Sequence, residues 1–332
     1  MPNAHLTEAD VTRLLDPAQL ISAIESAFRD RYPSVIIPDR TQAQLANGTF
    51  LSMSCYDASG HALGIKLIVV LDHARDHAGD HTGDRTKNDA RNSFLTEGRV
   101  QATYLLLDPE TASPRLTIAA NYLTDLRTAA TSAVATKCLA RPDARTLGIF
   151  GTGRLARAHL AVLPLVRNFQ RVLICGRNSA RSHEFAQQLC AEIPGLAISA
   201  ADPRTCAAES DVLCTCTSNA SPLFDGRDLH PGTHLNLVGA FQPHTREADT
   251  HTIQRARMIV DTYGSAKSEM GEFLIPLQEG AIPADHIAAD LHELVSGKKQ
   301  GRRSPEDITA FKSVGCALED LVAAELLLPC LA

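Results

Sequence analysis

Two sets of residues in this 332-residue chain have the types and spacing to do chemistry. The first is a glycine turn inside the stretch RTLGIFGTGRLARAHL. Gly151, Gly153 and Ala156 form a G-x-G-x-x-A pattern, with the short apolar run 146–150 before it and a helical periodicity after it. In that setting each small residue has a task. Gly151 allows the tight turn, Gly153 lets backbone approach a pyrophosphate, and Ala156 lets the helix pack closely on the strand. The segment Gly151, Thr152, Gly153, Arg154 and Leu155 would then present the helix N-terminus to the phosphates of a dinucleotide. The second set is basic. Arg40 stands at the head of a strand, Lys66 interrupts the apolar run GIKLIVV, and Arg127 stands near the start of an alanine-rich helix. Taken alone, Arg40 also reads as a surface residue and Lys66 as an outward-facing one. A charge on the buried side of a strand needs a partner or a site. With Thr124 read as the N-cap, Arg127 falls in the first turn, where a cation opposes the helix dipole and an anionic ligand would account for it.

The elements that must position these groups can be read in order. Thr7 caps a first helix, with Asp10 three residues on, and Pro17 opens a second whose apolar stripe is Leu20, Ile21, Ile24 and Phe28. Strands follow at 41–45, 49–55, 62–71 and 101–107, with a hairpin signal at Asn47-Gly48. After the glycine turn strands and helices alternate: RVLICGR, a helix over 179–192, a short strand at 196–199, then DVLCTCT, HLNLVGAF and RMIVDTYG. That alternation predicts an α/β fold with a Rossmann-type, doubly wound parallel sheet. Its crevice would bring Thr217, Val238 and Gly239 beside a cofactor. Ser313, between the last loop and a final apolar helix, is a further candidate cofactor contact.

The end of the second strand of that unit separates NAD from NADP. An acid there would bind the ribose hydroxyls. This chain has Gly176-Arg177-Asn178-Ser179, with Arg181 close by. Arg177, helped by Asn178 and Arg181, suits a 2′-phosphate. The expected cofactor is therefore NADPH, with NADH the weaker one.

Composition narrows the rest. A net charge of −6 leaves no basic footprint for nucleic acid, and no apolar run approaches the roughly 20 residues of a membrane span. The polar start MPNAHLTEAD does not read as a signal peptide, and the nine cysteines are scattered and odd in number. Both features point to a cytoplasmic protein with reduced thiols. His73, His77 and His81 recur every four residues within 72–92, a spacing that suits a metal on a helix. Gly79 and Gly83 oppose a helix there, so a solvated loop is expected and no metal site.

Three blocks carry a resemblance that spans nearly the whole chain: LTDLRTAATSAVATKCLA, HLNLVGAFQP and ITAFKSVGCALEDLVAA. They resemble the ornithine cyclodeaminase/mu-crystallin family. The resemblance implies a homodimer in which residues 1–126 and 304–332 form a discontinuous α+β substrate and dimerisation domain around a nucleotide domain at 127–303. It also implies that Arg40, Lys66 and Arg127 hold the carboxylate of a small substrate. Two departures direct the choice of reaction. Phe241 follows Gly239-Ala240, where cyclodeaminases carry a catalytic aspartate, and Arg177 stands where they carry an acid. Both move the chain towards ketimine reductases acting on Δ1-pyrroline-2-carboxylate or Δ1-piperideine-2-carboxylate, with Lys66 or a water as proton donor. The competing readings are an alanine-type amino-acid dehydrogenase, an ornithine cyclodeaminase and a non-catalytic NADPH-binding protein of crystallin type.

Overall fold

The computed structural model describes residues 4–71 and 100–331, so His73, His77 and His81 lie outside the described residues. Two helices open the chain. Helix α1 (Glu8–Leu14) starts at a Thr7–Asp10 capping box, and α2 (Pro17–Ser26) starts at an Asp16 cap with Pro17 in its first turn. Both starts satisfy amides that helix geometry leaves without partners.

The first sheet holds β1 (Ala4–Leu6), β2 (Val35–Ile36), β3 (Thr41–Leu45), β4 (Gly48–Asp57), β5 (Ala62–Leu71), β6 (Val100–Leu107) and β7 (Pro114–Ala119). Its order is β1-β7-β6-β5-β4-β2, with β3 also paired to β4. Strand β1 runs parallel to β7, and the other pairs are antiparallel. Burial along β5 alternates, so Ala62, Gly64, Lys66 and Ile68 share the core face. The outward-facing reading of Lys66 is thereby corrected.

The second sheet holds β8 (Thr146–Phe150), β9 (Arg171–Cys175), β10 (Ala197–Ala200), β11 (Val212–Thr215), β12 (His234–Leu237), β13 (Ala256–Val260), β14 (Ile287–Asp290) and β15 (Ile308–Lys312). Its order is β10-β9-β8-β11-β12-β15-β13-β14, and every pair is parallel. Both faces are buried, as a parallel sheet requires: Leu147 and Ile149 enter one core, while Phe150 enters the other. Strands β8, β9 and β10 step outward one way, and β11 restarts on the far side of β8. The topological switch point falls between β8 and β11, as in a Rossmann-type doubly wound fold.

Helices α3 (Asn121–Leu139), α4 (Arg154–Val162), α5 (Ser179–Glu192), α6 (Pro203–Glu209), α7 (Thr250–Arg255), α8 (Tyr263–Ser268), α9 (Gly271–Gln278), α10 (Leu291–Val295) and α11 (Ala317–Leu327) complete the described α-helices, alongside short 3-10 and π segments. Helix α3 joins the two sheets: it packs against β6 of the first, β12 and β15 of the second, and α2, α4 and α11. Its alanines allow that crowding. Helix α11 is buried almost all round and lies on β4, β5 and β6.

Three sequence expectations change. Helix α3 begins at Asn121, three residues before Thr124, so Arg127 lies in the second turn and the dipole argument for it lapses. The segment ITAFK is a strand of the second sheet, inserted between β12 and β13, which carries the nucleotide sheet beyond 304 to Lys312. Strands β7 and β14 were not evident from periodicity. None of the described helices is long and apolar enough to cross a membrane.

Candidate active site

The three basic residues come from separate elements and converge on the start of α11. Lys66 on β5 and Arg127 on α3 share one carboxylate. Lys66 Nζ donates to Asp320 Oδ1 at 2.8 Å and Arg127 Nε donates to the same oxygen at 3.0 Å. Arg127 Nη1 also donates to Glu319 Oε2 at 2.6 Å. Arg40 reaches the cluster through the loop before α11: its Nη2 donates to the carbonyl of Val314 at 2.8 Å, with Glu269 at 3.6 Å, and its buried Nε has no partner among the described residues. Gly315 closes the ring. Its φ of +90° favours glycine, and a Cβ there would lie 2.8 Å from Arg127 Nη1.

Burial sets the electrostatics. Lys66, Glu319 and Asp320 are each 0 % exposed and Arg127 is 4 % exposed. Desolvation first, then the Arg127 charge, push Lys66 down to about 8, against the pull of Asp320. Desolvation pushes Glu319 up to about 7. Burial opposes the Arg127 charge, but Asp320 and Glu319 hold its pKa above the ordinary arginine value. Arg127 is thus a structural counter-ion as well as a candidate clamp. Arg127→Ala would leave two carboxylates buried with one cation fewer, which costs about 3–5 kcal/mol. A fall in melting temperature of many degrees, read by calorimetry, is expected. An unchanged melting temperature would remove Arg127 from this role.

The cofactor candidates follow the C-terminal ends of β8, β9, β11, β12 and β15. Gly151 follows β8 with φ +131°, and a Cβ there would sit 2.7 Å from the Cys216 carbonyl oxygen. Gly153 caps α4 with no side-chain cap, and the space where its Cβ would point is open. A bare helix N-terminus beneath open space suits a pyrophosphate. Thr152 lies against Gly176, and Leu155 follows in the first turn of α4. The Arg154 side chain is engaged elsewhere: it pairs with Asp125 at 2.7 Å and with Glu8, tying α4 to α3 and α1. Only its backbone amide is left to face a phosphate.

After β9, Arg177 and Arg181 are exposed, and no side-chain partner is found for either among the described residues. The Asn178 side chain is committed to capping α5 through the Arg181 amide at 3.1 Å. Thr217 and Gly239 are locked by Glu247, which accepts from the Thr217 amide and hydroxyl at 2.8 and 2.6 Å and from the Gly239 amide at 2.7 Å. Val238 is buried beside them. The Ser313 hydroxyl is buried and donates to Asp261 at 3.0 Å, so it does not point to the crevice as a free donor. Phe241 packs between the two cores.

Sequence reading missed the acids: Glu247, Asp261, Glu319 and Asp320 are all 0 % exposed. One signal was available. Adjacent acids in the otherwise apolar ALEDLVAAELL demand buried cationic partners.

A doubly wound parallel sheet packed beside a domain that holds a buried arginine–lysine–carboxylate cluster defines a Rossmann-type protein. The chain belongs to the ornithine cyclodeaminase/mu-crystallin family, whose profile matches residues 1–328. It is 33% identical to a Δ1-pyrroline-2-carboxylate reductase of Bacillus cereus over 295 residues, 88% of this chain and 85% of that one. Among solved structures it is similar to Thermococcus litoralis Δ1-pyrroline-2-carboxylate reductase in complex with NADH and L-proline, with TM-score 0.88 and 32% identity over 98% of this chain and 96% of that one. It is also similar to an archaeal alanine dehydrogenase dimer with bound NAD, with TM-score 0.86 and 26% identity over 99% and 96% of the two chains.

Proposed function

We propose that the protein is an NAD(P)H-dependent oxidoreductase that reduces a cyclic imino acid, Δ1-pyrroline-2-carboxylate or Δ1-piperideine-2-carboxylate, to L-proline or L-pipecolate. The observation that carries this reading is the convergence of Arg40, Lys66 and Arg127 on one buried cluster, in a chain whose relatives include named pyrroline-2-carboxylate reductases. Arg40 has an unpartnered Nε, and the Arg127 Nη2 has no described hydrogen bond. These donors suit the substrate carboxylate as a charge-assisted pair. Lys66, held near the neutral range, suits proton donation to the imine nitrogen, because a protonated iminium accepts hydride more readily than a neutral imine. Gly151, Thr152, Gly153 and Leu155, with the Arg154 amide, would hold the pyrophosphate of a nicotinamide dinucleotide, while Thr217, Val238 and Gly239 would line its nicotinamide end. When bound, that cofactor supplies the hydride.

NADPH is the proposed cofactor, with NADH weaker, although the Thermococcus litoralis relative was solved with NADH. The support is Arg177 after β9, exposed and without a side-chain partner among the described residues. Arg177→Asp should weaken NADPH binding about ten- to a hundredfold through loss of a charge-assisted phosphate pair. Fluorescence titration with both cofactors checks this, and an unchanged NADPH-to-NADH ratio would sink the assignment. A homodimer is proposed as well. Ile36, Leu45, Tyr56, Leu71 and Val100 are exposed apolar residues of the first sheet, as a paired surface would require.

The alanine dehydrogenase likeness supports a second reading, reductive amination of an open-chain 2-oxo acid. Phe241 offers no proton-transfer group for ornithine cyclodeamination. Steady-state rates of NADPH oxidation with both cyclic imines, with pyruvate plus ammonia, and ammonia release from ornithine would separate these. The highest kcat/KM is expected with a cyclic imine; a preference for pyruvate plus ammonia would replace the proposal with the second reading.

A further inference from the structure

We infer that Asp261 is a positioning residue through which the nucleotide sheet sets the substrate clamp, an inference that rests on the imine-reductase reading. Asp261 follows β13 and is 0 % exposed. Its Oδ1 is saturated from its own side, by the Thr262 amide and the Ser265 hydroxyl, both at 2.6 Å. Its Oδ2 reaches across to the loop between β15 and α11. It accepts from the Ser313 hydroxyl at 3.0 Å, the Val314 amide at 2.8 Å and the Gly315 amide at 3.0 Å.

That loop carries the clamp. The Val314 carbonyl accepts from Arg40 at 2.8 Å, the Gly315 carbonyl lies 3.4 Å from the same nitrogen, and Gly315 abuts the Arg127 guanidinium. The Gly315 amide and the Val314 carbonyl belong to one planar trans peptide unit and point opposite ways, so an amide turned towards Asp261 leaves the Val314 carbonyl turned towards Arg40. The Asp261 charge therefore fixes the direction of the Val314 carbonyl, the nearer of the two that hold Arg40, and it does so from the end of β13 in the parallel sheet. Without it, the Val314 and Gly315 amides lose their acceptor, and the loop is free to reorient. Ser313 serves here as a pin, which accounts for a buried hydroxyl that does not face the crevice.

Asp261→Asn removes the charge and replaces one oxygen by an NH2 group that cannot accept. The expected result is a rise of about tenfold or more in KM for Δ1-pyrroline-2-carboxylate, with a smaller fall in kcat. NADPH affinity, read by fluorescence, should change by less than about threefold, since the glycine turn at Gly151–Gly153 is not touched. The deciding readout is a double-mutant cycle. In an Arg40→Ala background, Asp261→Asn should add less than about twofold, because the residue it positions has gone. Effects that multiply in full, or an equal loss of NADPH affinity, would overturn the inference. Ser313→Ala removes one donor and leaves the charge, so it tests the same cycle if Asp261→Asn does not fold. It should raise KM about two- to fivefold and should likewise add nothing to Arg40→Ala. Wild-type protein that does not reduce the imine at all would overturn the underlying reading, and this inference with it.

Discussion

Replacing Arg40 by alanine should cut kcat/KM for Δ1-pyrroline-2-carboxylate by about a hundredfold while the melting temperature stays close to the wild-type value. The two halves of this expectation follow from its partners. Its guanidinium is held by the Val314 and Gly315 carbonyls, and its nearest carboxylate, Glu269, is 3.6 Å away. Removing it strands no tightly paired buried acid, unlike removal of Arg127. Its Nε has no partner among the described residues, so a substrate carboxylate would gain a donor not used there. Loss of a pair that also orients the imine carbon should lower kcat together with raising KM. Arg40→Lys should recover only part, because an ammonium keeps the charge and loses the fork. Steady-state kinetics and calorimetry on the same preparations check this. Near wild-type kcat/KM in Arg40→Ala would place the carboxylate elsewhere.

Lys66→Met should lower kcat by about a hundred- to ten-thousandfold, the range of general acid catalysis, with a smaller effect on NADPH binding. If Lys66 is the proton donor, the active form is the ammonium, and Lys66 is pushed down to about 8 by burial. The sign follows directly: kcat/KM should be level below that value and fall as pH rises through it and the proton is lost. The charged and titratable groups facing Lys66 are Asp320 from α11, Arg127 from α3, Arg40 from the approach to β3, and Tyr104, its partner in register on β6. Of these, Asp320 alone pulls the pKa up. Asp320→Asn should therefore move the basic limb to lower pH. A full pH profile of both variants decides the matter: retention of kcat in Lys66→Met, or a limb that stays in place in Asp320→Asn, would end the assignment of Lys66 as donor.

What was legible in the sequence is what short-range chemistry writes. The G-x-G-x-x-A turn, the Asn47-Gly48 hairpin and the Thr7 and Pro17 helix starts depend on residues within a few positions of one another. Helix α5 spans Ser179–Glu192, the bounds its periodicity suggested. Long-range pairing was not legible. Strand β15 is inserted between β12 and β13, and only its neighbours in space distinguish ITAFK from the loop that precedes the final helix. The clamp divides the same way. Lys66 and Arg127 stood out as charges in apolar surroundings, but the acids that pair with them lie on α11, 254 and 193 residues further along the chain in their bonds to Asp320. Read locally, Arg127 suggested only a helix dipole in need of an anion, whereas the anions are Glu319 and Asp320. The roles of Glu247 and Asp261, which lock the crevice rim and the clamp loop, arise only once several strand ends are brought together.

The central claim is that this protein reduces a cyclic C=N bond with a nicotinamide hydride, and isotope transfer tests it most directly. NADPH carrying deuterium at C4 would be incubated with Δ1-pyrroline-2-carboxylate and the purified protein, and the product analysed by chiral chromatography and mass spectrometry. The expected result is L-proline labelled at Cα, formed in step with NADPH oxidation and more slowly with the corresponding NADH. Unlabelled or absent proline, with deuterium passing instead into alanine from pyruvate and ammonia, would contradict it.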